Sequence, residues 1–80
     1  RKSAVLELIA NIIYEVTGKK GITPDTDFAQ DLELNSFDVV NIVAAFEAHF
    51  NTTVSTRDIW QLRRVQDVLD YLEKKGFDHP

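Results

Sequence analysis

The stretch Asn35-Ser36-Phe37-Asp38-Val39-Val40-Asn41-Ile42-Val43-Ala44-Ala45-Phe46 decides the fold, because it joins a helix-start signal to an apolar run. Asn35 offers an acceptor to a free first-turn amide, and Asp38 stands three residues on, where a capping-box acid belongs. The spacing predicts a helix from about Ser36 to Phe50. At about 100° per residue, Val39, Val43, Phe46 and Phe50 form one narrow stripe flanked by Ile42, the expected core face. Phe37, Val40, Ala44 and Ala48 form a second stripe, roughly 120° to 180° round by the same geometry. Either a neighbouring helix covers that stripe or a partner docks on it. Ser36 lies in the first turn, near unpaired amides and the positive end of the helix dipole, where a phosphate ester is electrostatically favoured. A serine there is commonly capping chemistry and nothing more, so Ser36 alone does not assign a function.

Upstream, Val5, Leu8, Ile9, Ile12, Ile13 and Val16 recur at spacings of three and four, which predicts a first amphipathic helix capped by Ser3 and ended by Gly18. Lys19 and Lys20 suit its negative end. The run from Gly21 to Asp27 is dense in turn formers and carries no period, and it opens a loop of about 15 residues. A loop of that length needs anchors, and Ile22, Phe28, Leu32 and Leu34 are the expected ones. Downstream, Ser55-Thr56-Arg57-Asp58 offers caps for a short third helix through Ile59, Trp60 and Leu62, and Val65, Val68, Leu69 and Leu72 define a last helix ending at Gly76. Arg63-Arg64 is a poor break, so periodicity equally permits one helix from Arg57 to Lys75. The fold class expected is all-α: three long helices and a short third one around a single core, with residues 1–80 as one domain.

With 80 residues, 44% hydrophobic and 28% charged, the composition is that of a small globular chain with one modest core. There is no Cys, hence no disulfide framework and no thiolate metal site. No apolar run approaches the roughly 20 residues of a membrane span, and the N-terminus lacks a secretory pattern; the expected location is the cytoplasm, with no membrane partner. The net charge of −4 hides an asymmetry: from Gly21 to Thr56 there are six acids and no base, whereas all nine bases lie outside with the other seven acids. An acidic middle argues against nucleic acid and for partners with basic surfaces. Salt is expected to stabilise such a chain. Should Asp31, Glu33 and Asp38 converge near the second helix, a divalent cation would do so further.

The run Phe28-Ala29-Gln30-Asp31-Leu32-Glu33-Leu34-Asn35-Ser36-Phe37-Asp38 resembles the acyl carrier protein motif, F-x-x-D-L-G-x-D-S-L, matching at Phe28, Asp31, Leu32 and Ser36. The likeness extends to the first helix, the long loop, Phe46, Glu47 and Phe50, the short third helix and Val65-Gln66-Asp67-Val68. It implies a four-helix carrier fold in which Ser36 receives 4′-phosphopantetheine from coenzyme A through a Mg²⁺-dependent phosphopantetheinyl transferase. The arm's thiol would then hold acyl groups as thioesters for acyl-transferring, condensing or acyl-activating enzymes of fatty acid, polyketide or related biosynthesis. Asn35, Phe37, Asp38, Val40, Asn41, Ala44 and Glu47 would form the docking face of a monomeric carrier that is not itself an enzyme and holds no metal. Three positions depart from the motif: Glu33 replaces Gly, Asn35 replaces Asp and Phe37 replaces Leu. The Gly-Gly pair typical of peptidyl carriers is missing. The resemblance is therefore to a divergent or dedicated acyl carrier.

Two other readings fail on geometry. Ser36 and His49 are thirteen residues apart on one helix, roughly 20 Å, too far to form a catalytic pair. A calcium loop counted from Asp25 would have Gln30 where Gly is needed and Ser36 where the bidentate Glu belongs. The alternative that stands is a carrier-like interaction module that is never modified, which Asn35 supports.

Overall fold

In the computed structural model, which describes residues 2–76, four helices follow one another: α1 (Lys2–Thr17), α2 (Ser36–Phe50), α3 (Thr56–Ile59) and α4 (Val65–Lys74). Arg1 and residues 77–80, including His79, lie outside the described part. Among the described residues there is no strand, only an isolated antiparallel bridge between Asp27 and Arg64. No described helix is long and apolar enough to cross a membrane.

α1 packs against both α2 and α4. Its predicted face is inward, with Ile9, Ile12 and Ile13 buried and Val5, Leu8 and Val16 half-buried. α1 begins at Lys2, one residue before the predicted cap Ser3. Gly18 ends α1 with φ +76°, and its amide donates to the Tyr14 carbonyl at 2.7 Å. α4 buries all four predicted residues, Val65, Val68, Leu69 and Leu72. α2 buries only Phe46, whose ring lies 4.8 Å from that of Phe50. The rest of its expected core stripe is half-buried, because a cavity runs along that side.

Sequence periodicity allowed α3 and α4 to be one helix; the long loop separates them. The Phe28 amide donates to Arg63 O (3.0 Å), the Val65 amide to Thr26 O (3.0 Å) and the Gln66 amide to Pro24 O (2.8 Å). The loop's carbonyls thus satisfy amides that open α4, groups a helix start leaves without internal partners. The Asp67 carboxylate accepts from the amides of Arg63 (2.9 Å) and Arg64 (3.0 Å). α3 therefore stops at Ile59, Trp60 caps it, and Leu62 lies beyond the helix. The loop is anchored as expected: Leu32 is buried, and Ile22, Phe28 and Leu34 pack on the core. Its buried Thr26 hydroxyl accepts from the Thr23 amide at 2.9 Å.

Two of these carboxylates tie the fold to pH. The Gln30 amide, then that of Ala29 and the nearby Arg63 and Arg64 charges, hold the Asp27 carboxyl below its ordinary 3.8 against the opposing effect of desolvation. The amides of Arg64 and Arg63 do the same for Asp67. Both groups bind protons less readily folded than unfolded, so their stabilisation is present above the ordinary value and is lost as pH falls through the folded one. Thermal melts should be nearly flat from neutral pH to about 5 and fall below about 4. Asp27→Asn, which keeps an acceptor but no titration, should make that fall shallower.

Candidate functional site

The chain approaching α2 forms one helical turn capped at both ends. Asp27 Oδ1 accepts from the amides of Ala29 and Gln30, each at 2.8 Å, and Asp31 Oδ2 accepts from the Asp27 amide at 2.8 Å. The turn closes through the Glu33 amide to Ala29 O (3.1 Å), with Glu33 itself left-handed at φ +51°. That conformation is free for glycine and costs roughly 1–2 kcal/mol for a residue bearing Cβ, so the Gly of the resembling motif has a physical reason that this chain overrides.

Asn35 is then extended, and its Oδ1 accepts from the Asp38 amide at 2.8 Å while its own amide reaches Asp38 Oδ2 at 3.4 Å. This is the predicted capping box. Ser36 is the first helical residue and is exposed. Its hydroxyl has no hydrogen bond among the described residues, and the amides of Ser36 and Phe37 donate to nothing there. Two unbonded amides at the positive end of a 15-residue helix, beside a free hydroxyl, fit a phosphate ester on Ser36.

The second stripe of α2 is uncovered: Phe37 is 73% and Val40 64% exposed, and Ala44 and Ala48 are exposed too. Of the other expected docking residues, Asn35 is exposed and serves as the cap, while Asp38 and Asn41 are half-buried. Glu47 has a task inside the fold, its Oε2 accepting from the Val54 amide at 2.8 Å. Asp31, Glu33 and Asp38 do not converge on a cation: among the described residues no three His, Cys, Asp or Glu are grouped to hold a metal. Asp31 and Asp38 turn onto backbone amides instead, which removes the basis for a specific divalent-ion effect.

Sequence reading missed a cavity of about 370 Å³ between α2, α3 and the loop. Val39, Ile42, Val43 and Phe46 line it from α2, Phe28 and Leu34 from the loop, and Ile59 and Leu62 from beyond. Its exposed lining residues Ala29, Gln30, Trp60 and Arg63 mark the mouth, and Trp60 is 80% exposed. The space is apolar and large enough to admit a small apolar group. Val39, the lining residue nearest the start of α2, is three residues along the helix from Ser36, a rise of about 4.5 Å.

The family described as a phosphopantetheine attachment site matches residues 4–72. The chain belongs to the acyl carrier protein family. The acyl carrier protein of Bdellovibrio bacteriovorus is 37% identical over 78 residues, covering 91% of this chain and 96% of that protein. That of Solidesulfovibrio magneticus is 32% identical over 74 residues, covering 90% and 95%. Among solved structures, BlmI, a type-II acyl carrier protein from Streptomyces verticillus involved in bleomycin biosynthesis, superposes with a TM-score of 0.80 at 28% identity, over 94% of this chain and 89% of that one. As an acyl carrier protein the chain bears covalent 4′-phosphopantetheine, and proteins of this family are modified by phosphopantetheinyl transferase and work with biosynthetic enzymes. Its relatives are carriers rather than catalysts.

Proposed function

We propose that Ser36 is the attachment point of the arm, and that residues 1–80 act as a single, monomeric, cytoplasmic carrier domain that catalyses nothing itself. The observation that carries this is the free, exposed Ser36 hydroxyl at the start of α2, with two unbonded amides beside it. When attached, the arm supplies a thiol for holding acyl groups as thioesters. The chain's own residues do three things. Asn35 and Asp38 fix the helix end, so the hydroxyl and amides stay in place. The cavity from Val39 to Trp60 offers an apolar space to an acyl chain. Phe37, Val40, Asn41 and Ala44, with Asn35, Asp38 and Glu47 around them, give partner enzymes with basic surfaces an apolar centre in acidic surroundings. Fatty acid, polyketide or related biosynthesis is the setting this chemistry serves.

Intact mass after incubation with coenzyme A, Mg²⁺ and a broad-specificity transferase tests the reading: the chain should gain one arm. A chain that resists every transferase would be the unmodified interaction module instead. The docking face is tested separately. Val40→Arg and Ala44→Arg should shift stability by less than about 0.5 kcal/mol, because both sites are exposed. Each should weaken binding to a partner enzyme at least tenfold, as a charge forced into an interface centre does. Mutants that melt early rather than bind poorly would mean this face belongs to the core.

A further inference from the structure

We propose that the outer face of α3 and the chain that follows it form a second docking surface, built on Trp60, Arg57, Arg63 and Arg64, for a partner protein that presents carboxylates around an apolar recess. It is distinct from the α2 stripe of Val40 and Ala44 and does not depend on the role of Ser36. Among the described residues Trp60 is the most exposed large apolar side chain, at 80%. Its backbone caps α3, which fixes where the indole stands, but the ring makes no stacking or cation contact among the described residues. The fold therefore positions this ring without using it.

The charge around the indole is opposite in sign to the acidic middle of the chain. Arg57, Arg63 and Arg64 are exposed, and they are three of the four arginines in the sequence, gathered within eight residues, whereas the five lysines all lie elsewhere. None of the three forms an ion pair among the described residues. The neighbouring acids are turned onto other groups: Asp58 accepts from the Tyr71 hydroxyl at 2.9 Å, Asp67 from the amides of Arg63 and Arg64, and Asp27 from those of Ala29 and Gln30. The charges of Arg63 and Arg64 reach Asp27 and Asp67 through space and help keep them ionised, but pair with neither. Tryptophan and arginine are the side chains that dominate protein interfaces, one as a rigid apolar body and the other as a planar fork matched to a carboxylate. An anionic lipid surface calls for a cluster of about four to eight bases and would repel a chain of net charge −4. Three arginines around one indole fit carboxylates on a protein instead.

Trp60 is the only tryptophan, so its emission reports on this face directly. The experiment titrates the full chain, at about 0.05 M NaCl to limit screening, with a synthetic helical peptide whose leucine stripe is flanked by glutamates. A saturable blue shift is expected, and the same peptide with Gln for Glu should bind about tenfold more weakly or worse. By calorimetry Trp60→Ala should weaken binding about tenfold and Arg57→Gln about threefold or more, both with the melting temperature of the wild type because both sites are exposed. Lys19→Gln removes the same charge beyond the end of α1 and should bind the peptide as the wild type does. Absence of binding, equal binding of the Gln peptide, or a loss in Lys19→Gln as large as in Arg57→Gln would overturn the proposal. So would sedimentation showing a dimer that Trp60→Ala abolishes, which would place a second copy of the chain on this face, or phosphatidylglycerol vesicles that shift the emission where the peptide does not.

Discussion

Ser36→Ala keeps its fold and takes up no 4′-phosphopantetheine under conditions that load the wild type. The hydroxyl has no hydrogen bond among the described residues, so its removal leaves no group unsatisfied. The cap belongs to Asn35 and Asp38 and survives. Alanine is also a better helix former than serine, so the melting temperature should stay level or rise slightly. Loading should fall to nothing rather than to a fraction, because no other serine sits at the same kind of place. Ser55 spends its hydroxyl on the Asp58 amide at the start of a four-residue helix, and Ser3 lies inside α1. Intact mass checks the expectation, and an arm still present on the alanine variant would mean that the attachment lies elsewhere.

Phe46→Ala should cost about 3–5 kcal/mol, the usual range for removing a buried aromatic ring. Phe46 is 8% exposed, the one buried residue of α2, and stands between the core and the cavity. Its loss would join the deleted ring's volume to the existing space, and the Phe50 ring 4.8 Å away would lose its tilted ring contact. A domain of this size has on the order of 5–10 kcal/mol in all, so chemical denaturation should show a stability reduced by a third or more and a melting temperature lower by on the order of 15 °C. A loss below 1 kcal/mol would mean that α2 is held chiefly by its ends.

The helices were legible because each writes its period into the sequence. Val65, Val68, Leu69 and Leu72 are all buried as the spacing requires, and the Asn35–Asp38 box stands where those two residue types predict it. The division of α2 into two faces was legible for the same reason, although periodicity could not say that the outer one stays bare. What it could not contain is long-range. The break at Leu62-Arg63-Arg64 comes from loop carbonyls some forty residues away in sequence, and neither arginine is a helix breaker. The cavity is the space left where Val39, Ile42 and Val43 meet Phe28 and Ile59 incompletely, and no local pattern encodes a gap. Glu47 looked like a surface acid because its partner is the Val54 amide across a turn.

The seams around that cavity differ in stiffness. On the loop side, the bonds of Phe28, Val65 and Gln66 to Arg63, Thr26 and Pro24 lash the wall to α4, so yielding there means unpicking a helix start. On the opposite side stands α3, four residues long, moored to α4 by the 2.9 Å bond from the Tyr71 hydroxyl to Asp58. Strain from an oversized guest would therefore travel to the compliant side, swinging α3 and Trp60 outward while the loop holds still. Amide exchange would register the asymmetry as rapid opening at Ile59 and Trp60 against slow opening at Phe28, Val65 and Gln66. A longer guest would then be accommodated at α3 rather than at the loop.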